Sequence, residues 1–159
     1  MCLYLVQHGS AKSEAEDPLR GLTEEGRRTV ERIAEFLASA GVSVDRIEHS
    51  EKLRARQTAV ILAARLRPPE GIKQVAGLAA NDDVGPTASR LEIESKNLML
   101  VGHLPHLSRL VASLLGLEAE RVVVQFRMGG VVRMDRSDAG VWVIEWALVP
   151  ELLPLDSNR

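Results

Sequence analysis

Two short stretches, CLYLVQ (Cys2–Gln7) and NLMLV (residues 97–101), are apolar almost throughout. A strand with one wet face alternates polar and apolar side chains. These two do not, so each must be covered on both faces. That requirement points to a largely parallel sheet held between helices.

The segments between the two runs fit. Val30, Ile33, Ala34, Leu37 and Ala38 recur at helical spacing behind Thr23, a natural N-cap, and stop at Gly41. Residues 46–49 read as a second strand. Ser50 is then expected to cap a helix whose Leu53, Gln57, Val60, Ile61 and Ala64 lie along one side, ended by Pro68-Pro69. Residues 72–75 suggest a third strand, residues 78–86 a loop, and residues 87–95 a weaker helix. Pro105 suits the first turn of the next helix, which carries Leu107, Leu110, Val111, Leu114 and Leu115 to Gly116. Residues 122–126, 131–135 and 141–148 read as strands joined by glycine-containing turns.

The expected fold class is therefore α/β: three layers, α/β/α, around a mostly parallel mixed sheet. A single domain is expected over residues 1–150, with residues 151–159 a frayed or surface-bound C-terminal tail.

Composition narrows the function classes. Hydrophobic residues make up 45% and charged residues 26%, with a net charge of -2 and no long run of one sign. A broad basic surface for nucleic acid is excluded on that ground. No apolar stretch approaches the roughly 18 residues of a membrane span. No basic segment followed by an apolar one opens the chain, so a cytoplasmic monomer is expected. Cys2 is the only cysteine, which rules out an internal disulfide and a cysteine-based zinc site.

The chemistry gathers at strand ends. In open α/β sheets ligands collect outside the carboxyl ends of the strands, and both apolar runs terminate there in histidine: Gln7-His8-Gly9 and Gly102-His103. Arg54 follows in the first turn after the second strand, where a guanidinium can pair with a phosphate beside a helix N-terminus. Two imidazoles and a guanidinium suit phosphoryl transfer: a neutral imidazole attacks phosphorus, and the cations balance the oxygens. No metal or cofactor is called for. Walker A, GxGxxG, GxSxG and HExxH motifs are absent. His106 is expected on the helix surface, close enough to line the pocket.

The order QHG, RGLTEEG (residues 20–26), HSEKLRARQT (residues 49–58) and VGHLPHL (residues 101–107) resembles the histidine phosphatase superfamily, with its phosphoglycerate mutase-like fold. Within it the chain is similar to the short SixA-type phosphohistidine phosphatases. The resemblance implies that His8 is the phosphorylated nucleophile, Arg54 a phosphate-binding arginine and His103 the second pocket histidine. Arg20 matches an arginine that SixA-type proteins keep near the site. The implied partner is a phosphohistidine-bearing protein such as a histidine phosphotransfer domain, with phosphate as the bound group.

Gln7 departs from the pattern, because the usual motif is Arg-His-Gly. An amide donates to a phosphate oxygen without charge, so another cation is expected to compensate, Lys12 first and Arg20 second. Glu51 stands where proline is usual. A general acid is not evident; Asp82 and Asp83 occupy the right stretch, although turn roles suit them. A small-molecule phosphomonoesterase and a weakly catalytic phosphohistidine-binding module are the alternatives.

Overall fold

The computed structural model describes residues 1–155. The sheet has six strands, β1 (Cys2–Gln7), β2 (Arg46–His49), β3 (Ile72–Gln74), β4 (Leu98–Gly102), β5 (Val131–Arg136) and β6 (Trp142–Leu148), in the order β3-β2-β4-β1-β5-β6. The first four are parallel, and β5 and β6 add an antiparallel flank. Helices α1 (Glu24–Ser39) and α2 (Leu53–Leu66) cover one face; α3 (Val84–Ile93) and α4 (His106–Leu114) cover the other. The expected three-layer mixed architecture is the one observed.

The two apolar strands are central and adjacent, and their alternate side chains feed separate cores. Leu3, Leu5, Leu98 and Leu100 pack with Leu91, Leu107 and Leu110 on the α3/α4 side. Tyr4, Val6, Met99 and Val101 pack with Val30, Ile33 and Leu37 on the other. Two covered faces are why neither run shows polar alternation.

β4 lies between β2 and β1, with Gln7 level with Gly102 and His49 level with Val101. Three strands therefore end on one rim, and the chain leaves them at His8, His103 and Ser50.

Thr23 caps α1 as expected, its hydroxyl accepting from Gly26 N at 2.9 Å. Elsewhere the structure corrects the expectations. Ser50 is not the cap of α2; Lys52 holds that position without a side-chain bond. The buried stripe of α2 is Ala55, Thr58, Ala59 and Leu62, not the stripe through Leu53, Val60 and Ala64. Both stripes carry apolar residues, and the small one lets the helix lie close to its neighbours. α3 begins three residues early because the Asp83 carboxylate accepts from Gly85 N at 2.9 Å and caps it. Residues 122–126 form no strand, since Val122 and Val123 face solvent and only Phe126 is buried. The tail is not frayed at its start: Pro150–Leu152 form a 3-10 turn, Pro150 O accepts from Arg32 Nη2 at 3.0 Å, and Leu153 is buried. Residues 156–159 lie outside the described residues. Among the described residues no helix is long and apolar enough to cross a membrane.

Candidate active site

Local packing fixes His8. Its backbone N–H donates to Gly102 O at 3.1 Å, and Gly129 N donates to Gln7 O at 2.9 Å. Gly9 follows because no side chain fits there: a Cβ would stand 2.8 Å from Val30 Cγ2. Gly26 in α1 answers it, since a Cβ there would meet Ser10 O at 2.2 Å. The strand-end loop thus lies directly on the first turn of α1.

The His8 ring has one defined tautomer. Nδ1 is 2.7 Å from Gly9 O, and a carbonyl only accepts, so Nδ1 carries the proton. Nε2 is left with its lone pair, and Arg54 Nε donates to it at 3.4 Å. Burial, then the nearby Arg54 and Arg20 charges, lower the His8 pKa against the opposing Gly9 bond. The ring is a neutral imidazole with its basic nitrogen turned to a guanidinium.

His103 meets it across the strand gap. The ring centroids are 4.9 Å apart at 52°. His103 Nε2 is hydrogen-bonded to Ser50 Oγ at 2.6 Å, while its buried Nδ1 has no partner among the described residues. Burial first, then His8, Arg54, Lys52 and His106, push its pKa down to about 3. With no anion bound it is neutral.

Arg54 sits in the first turn of α2, tied to the His8 loop through Thr58. The Thr58 hydroxyl donates to Arg54 O at 2.8 Å and accepts from Gly9 N at 3.1 Å. Arg54 also lines an open cavity of about 500 Å³, shared with Arg20, Lys52, Leu53 and Arg56. Burial and then the Arg20 charge lower its pKa, but a guanidinium stays protonated at neutral pH.

The structure brings Arg20, not Lys12, to this group. Arg20 has left-handed backbone geometry (φ 51°), a strain of about 1 kcal/mol for a non-glycine residue. The loop holding it is braced by the Asp17 carboxylate, which accepts from Leu19 N at 3.0 Å and Gly21 N at 2.9 Å. Leu22 N donates to Gln57 Oε1 at 2.7 Å, pinning the same loop to α2. Lys12 is exposed; its carbonyl accepts from Arg20 Nε at 3.2 Å, and its charge acts on Asp17. Nearness in sequence to His8 does not translate into nearness of charge.

Gln7 is 7% exposed, on the same face as Leu3 and Leu5, and its Oε1 has no partner among the described residues. Asp82 and Asp83 are engaged with backbone: Asp82 Oδ2 accepts from Ala79 N at 2.9 Å, and Asp83 caps α3. Neither bonds to His8, His103 or Arg54. His106 is a correction. It is fully buried at the start of α4, with neither ring nitrogen in a well-formed hydrogen bond among the described residues, and burial lowers its pKa against the opposing Asp82 charge and the Gly77 backbone. Ser50, Lys52 and Thr58 are the contributors that periodicity missed. Glu51, exposed and paired with Lys52, adds no contact to the histidines.

The model of the histidine phosphatase superfamily (branch 1) matches residues 3–80. A protein of Picosynechococcus sp., described as uncharacterized, is 39% identical over 115 residues, which is 67% of this chain and 68% of that protein. The phosphohistidine phosphatase SixA of Escherichia coli is 25% identical over 155 residues, 94% of each chain. The solved structure of the protein histidine phosphatase SixA complexed with tungstate has a TM-score of 0.84 at 24% identity, covering 94% of this chain and 97% of that one. The shared order of strands, the two rim histidines and these matches agree: the chain belongs to the histidine phosphatase superfamily and has the phosphoglycerate mutase-like, SixA-type fold.

Proposed function

We propose that this chain is a metal-independent phosphatase that hydrolyses phosphohistidine on a partner protein through a phosphorylated His8. The observation that carries the reading is the His8 ring, neutral, with its Nε2 lone pair directed at Arg54 and a second imidazole 4.9 Å away.

In the first step His8 Nε2 attacks phosphorus, the substrate P–N bond breaks, and the released imidazole nitrogen takes a proton from solvent. In the second, water attacks the phosphoryl group, the His8–P bond breaks, and phosphate leaves with the regenerated neutral ring. Arg54 and Arg20 hold the phosphoryl oxygens, and the Gln7 amide donates without charge. Arrival of a phosphate dianion raises the His103 pKa, so its ring becomes a further donor.

The substrate assignment rests on the acid: among the described residues no carboxylate is hydrogen-bonded or ion-paired to His8, His103 or Arg54. Asp82 and Asp83 are engaged with backbone, and an alkoxide leaving group needs a proton that an imidazole nitrogen obtains from water. Similarity to a phosphohistidine phosphatase supports the same class.

Rapid-quench labelling tests the intermediate: acid-labile phosphate is expected on His8 and absent from His8→Ala. Label retained in that variant refutes the assignment. Comparing a phosphohistidine protein with a panel of phosphate metabolites tests the substrate, and preference for a metabolite makes the chain a small-molecule phosphomonoesterase. A second reading, a phosphohistidine-binding module with little turnover, rests on the uncharged Gln7, whose Oε1 has no partner among the described residues. It requires phosphate binding without burst or steady-state release.

A further inference from the structure

α2 turns its small residues to the core and a row of larger ones outward. Leu53, Arg56 and Val60 recur at helical spacing along that outer side beside the half-buried Ile61, and Val60 is 48% exposed. With Leu22 they line an apolar groove of about 310 Å³ beside α1. Leu53 and Arg56 also line the cavity that contains Arg20 and Arg54. The groove and the mouth of the phosphate site are therefore one continuous surface. From Leu53 to Val60 is two helical turns, so the groove runs about 10 Å away from the mouth.

Charge describes what could lie there. Arg20, Lys52, Arg54 and Arg56 face the mouth against Glu14 and Glu51. Among the described residues Lys52 pairs with Glu51, whereas Arg56 has no carboxylate partner. Leu19, on the rim of the same cavity, is 70% exposed. Apolar side chains with unpaired cations at the margin are the pattern of a surface that meets an acidic, partly apolar partner.

We propose that this groove docks the protein that carries the phosphohistidine, taking an apolar side chain between Leu22 and Val60 while neighbouring carboxylates meet Arg56. The inference rests on the phosphohistidine reading and deepens it. A histidine side chain is short, so the backbone bearing the phosphoryl group must lie against the rim, and the groove is the apolar surface continuous with that rim. A small phosphate compound entering the cavity has no use for it.

The test uses three substrates: phosphoramidate, a phosphohistidine peptide flanked by Leu and Glu, and the same peptide with Ser at the flanking positions. The full chain is expected to favour the Leu/Glu peptide by about tenfold in kcat/KM. Val60→Glu is expected to abolish that preference and leave phosphoramidate turnover unchanged, because Val60 lines the groove and not the cavity. The substitution suits an exposed helix position, Glu being a better helix former than Val, so loss of fold does not mimic the result. Equal rates on the two peptides, or a preference that survives in Val60→Glu, overturns the docking surface while phosphoramidate turnover leaves the phosphatase standing. Absence of turnover on all three substrates, with no label on His8, overturns the phosphatase reading and the docking surface with it.

Discussion

Thr58→Val separates the placing of His8 from its chemistry. The Thr58 side chain is fully buried, and valine has nearly its shape. The hydroxyl bridges the loop that carries His8 and the helix that carries Arg54, accepting from Gly9 N at 3.1 Å and donating to Arg54 O at 2.8 Å. Valine removes both bonds, but not with equal consequence. Arg54 O keeps its helical donor four residues on, whereas Gly9 N–H is left buried with no acceptor. One orphaned donor costs about 2 kcal/mol, which lowers Tm by roughly 4–8 °C for a chain of this size. The loop then relaxes, and a displacement near 1 Å at a reacting atom costs about 100-fold in rate. Thr58→Ser keeps both bonds and loses one buried methyl, about 1 kcal/mol, so it is destabilised while its rate stays within about threefold. Urea melts give the stabilities, and single-turnover phosphorylation of His8 gives the rates. A Thr58→Val enzyme phosphorylated at the wild-type rate, or Thr58→Ser as slow as Thr58→Val, refutes the bridge as a positioning device.

His8, His103 and His106 all have pKa values below the ordinary histidine value, that of His103 at about 3. The unfolded chain therefore binds more protons below about pH 6.5, so the stability they contribute is complete above that pH and is lost as pH falls toward 3. Urea midpoints should drop across that window, and His103→Asn should flatten the fall; an unchanged slope contradicts the burial argument. Gly26→Ala puts a Cβ 2.2 Å from Ser10 O, a backbone atom, and is expected to cost about 3 kcal/mol despite alanine's better helix propensity; a stabilised variant in a thermal melt would show that the loop has room. Gln7→Arg should tighten phosphate binding about tenfold, because a charge-assisted bond replaces a neutral one, and should lower stability when phosphate is absent. Calorimetric titration with phosphate checks it, and an unchanged Kd means the position does not reach the bound anion.

The sheet was legible because its central strands must be apolar on both faces, and β1 and β2 end where the expected polar punctuation falls. The two rim histidines and Arg54 followed from strand ends alone. What escaped were choices between equivalent local patterns. α2 carries two possible buried stripes, and only packing against α1 and the sheet selects the one with Thr58. His106 was legible in principle, since it shares a four-residue spacing with Leu110 and Leu114, both buried; its polarity argued for the surface, and position prevailed. Arg20 and Lys12 sit in one loop, and the Asp17 brace on the turn that sets Arg20 at the cavity of Arg54 is a matter of turn geometry rather than periodicity. Ser50 had two uses open to it, a helix cap or a bond to a residue 53 positions away, and long-range contact is what sequence spacing conceals.

The place of β4 between β2 and β1 has a kinetic consequence. A chain that has paired β2 with β3 and folded α1 and α2 already holds Arg54, Lys52 and Ser50, yet His103 joins His8 only when β4 inserts at the centre. That insertion closes contacts across about 95 residues, the slow kind of step in folding. Partially folded molecules lacking it have His8 without the opposing ring. Recovery of activity during refolding therefore clocks the arrival of the central strand, while recovery of helix content clocks what precedes it.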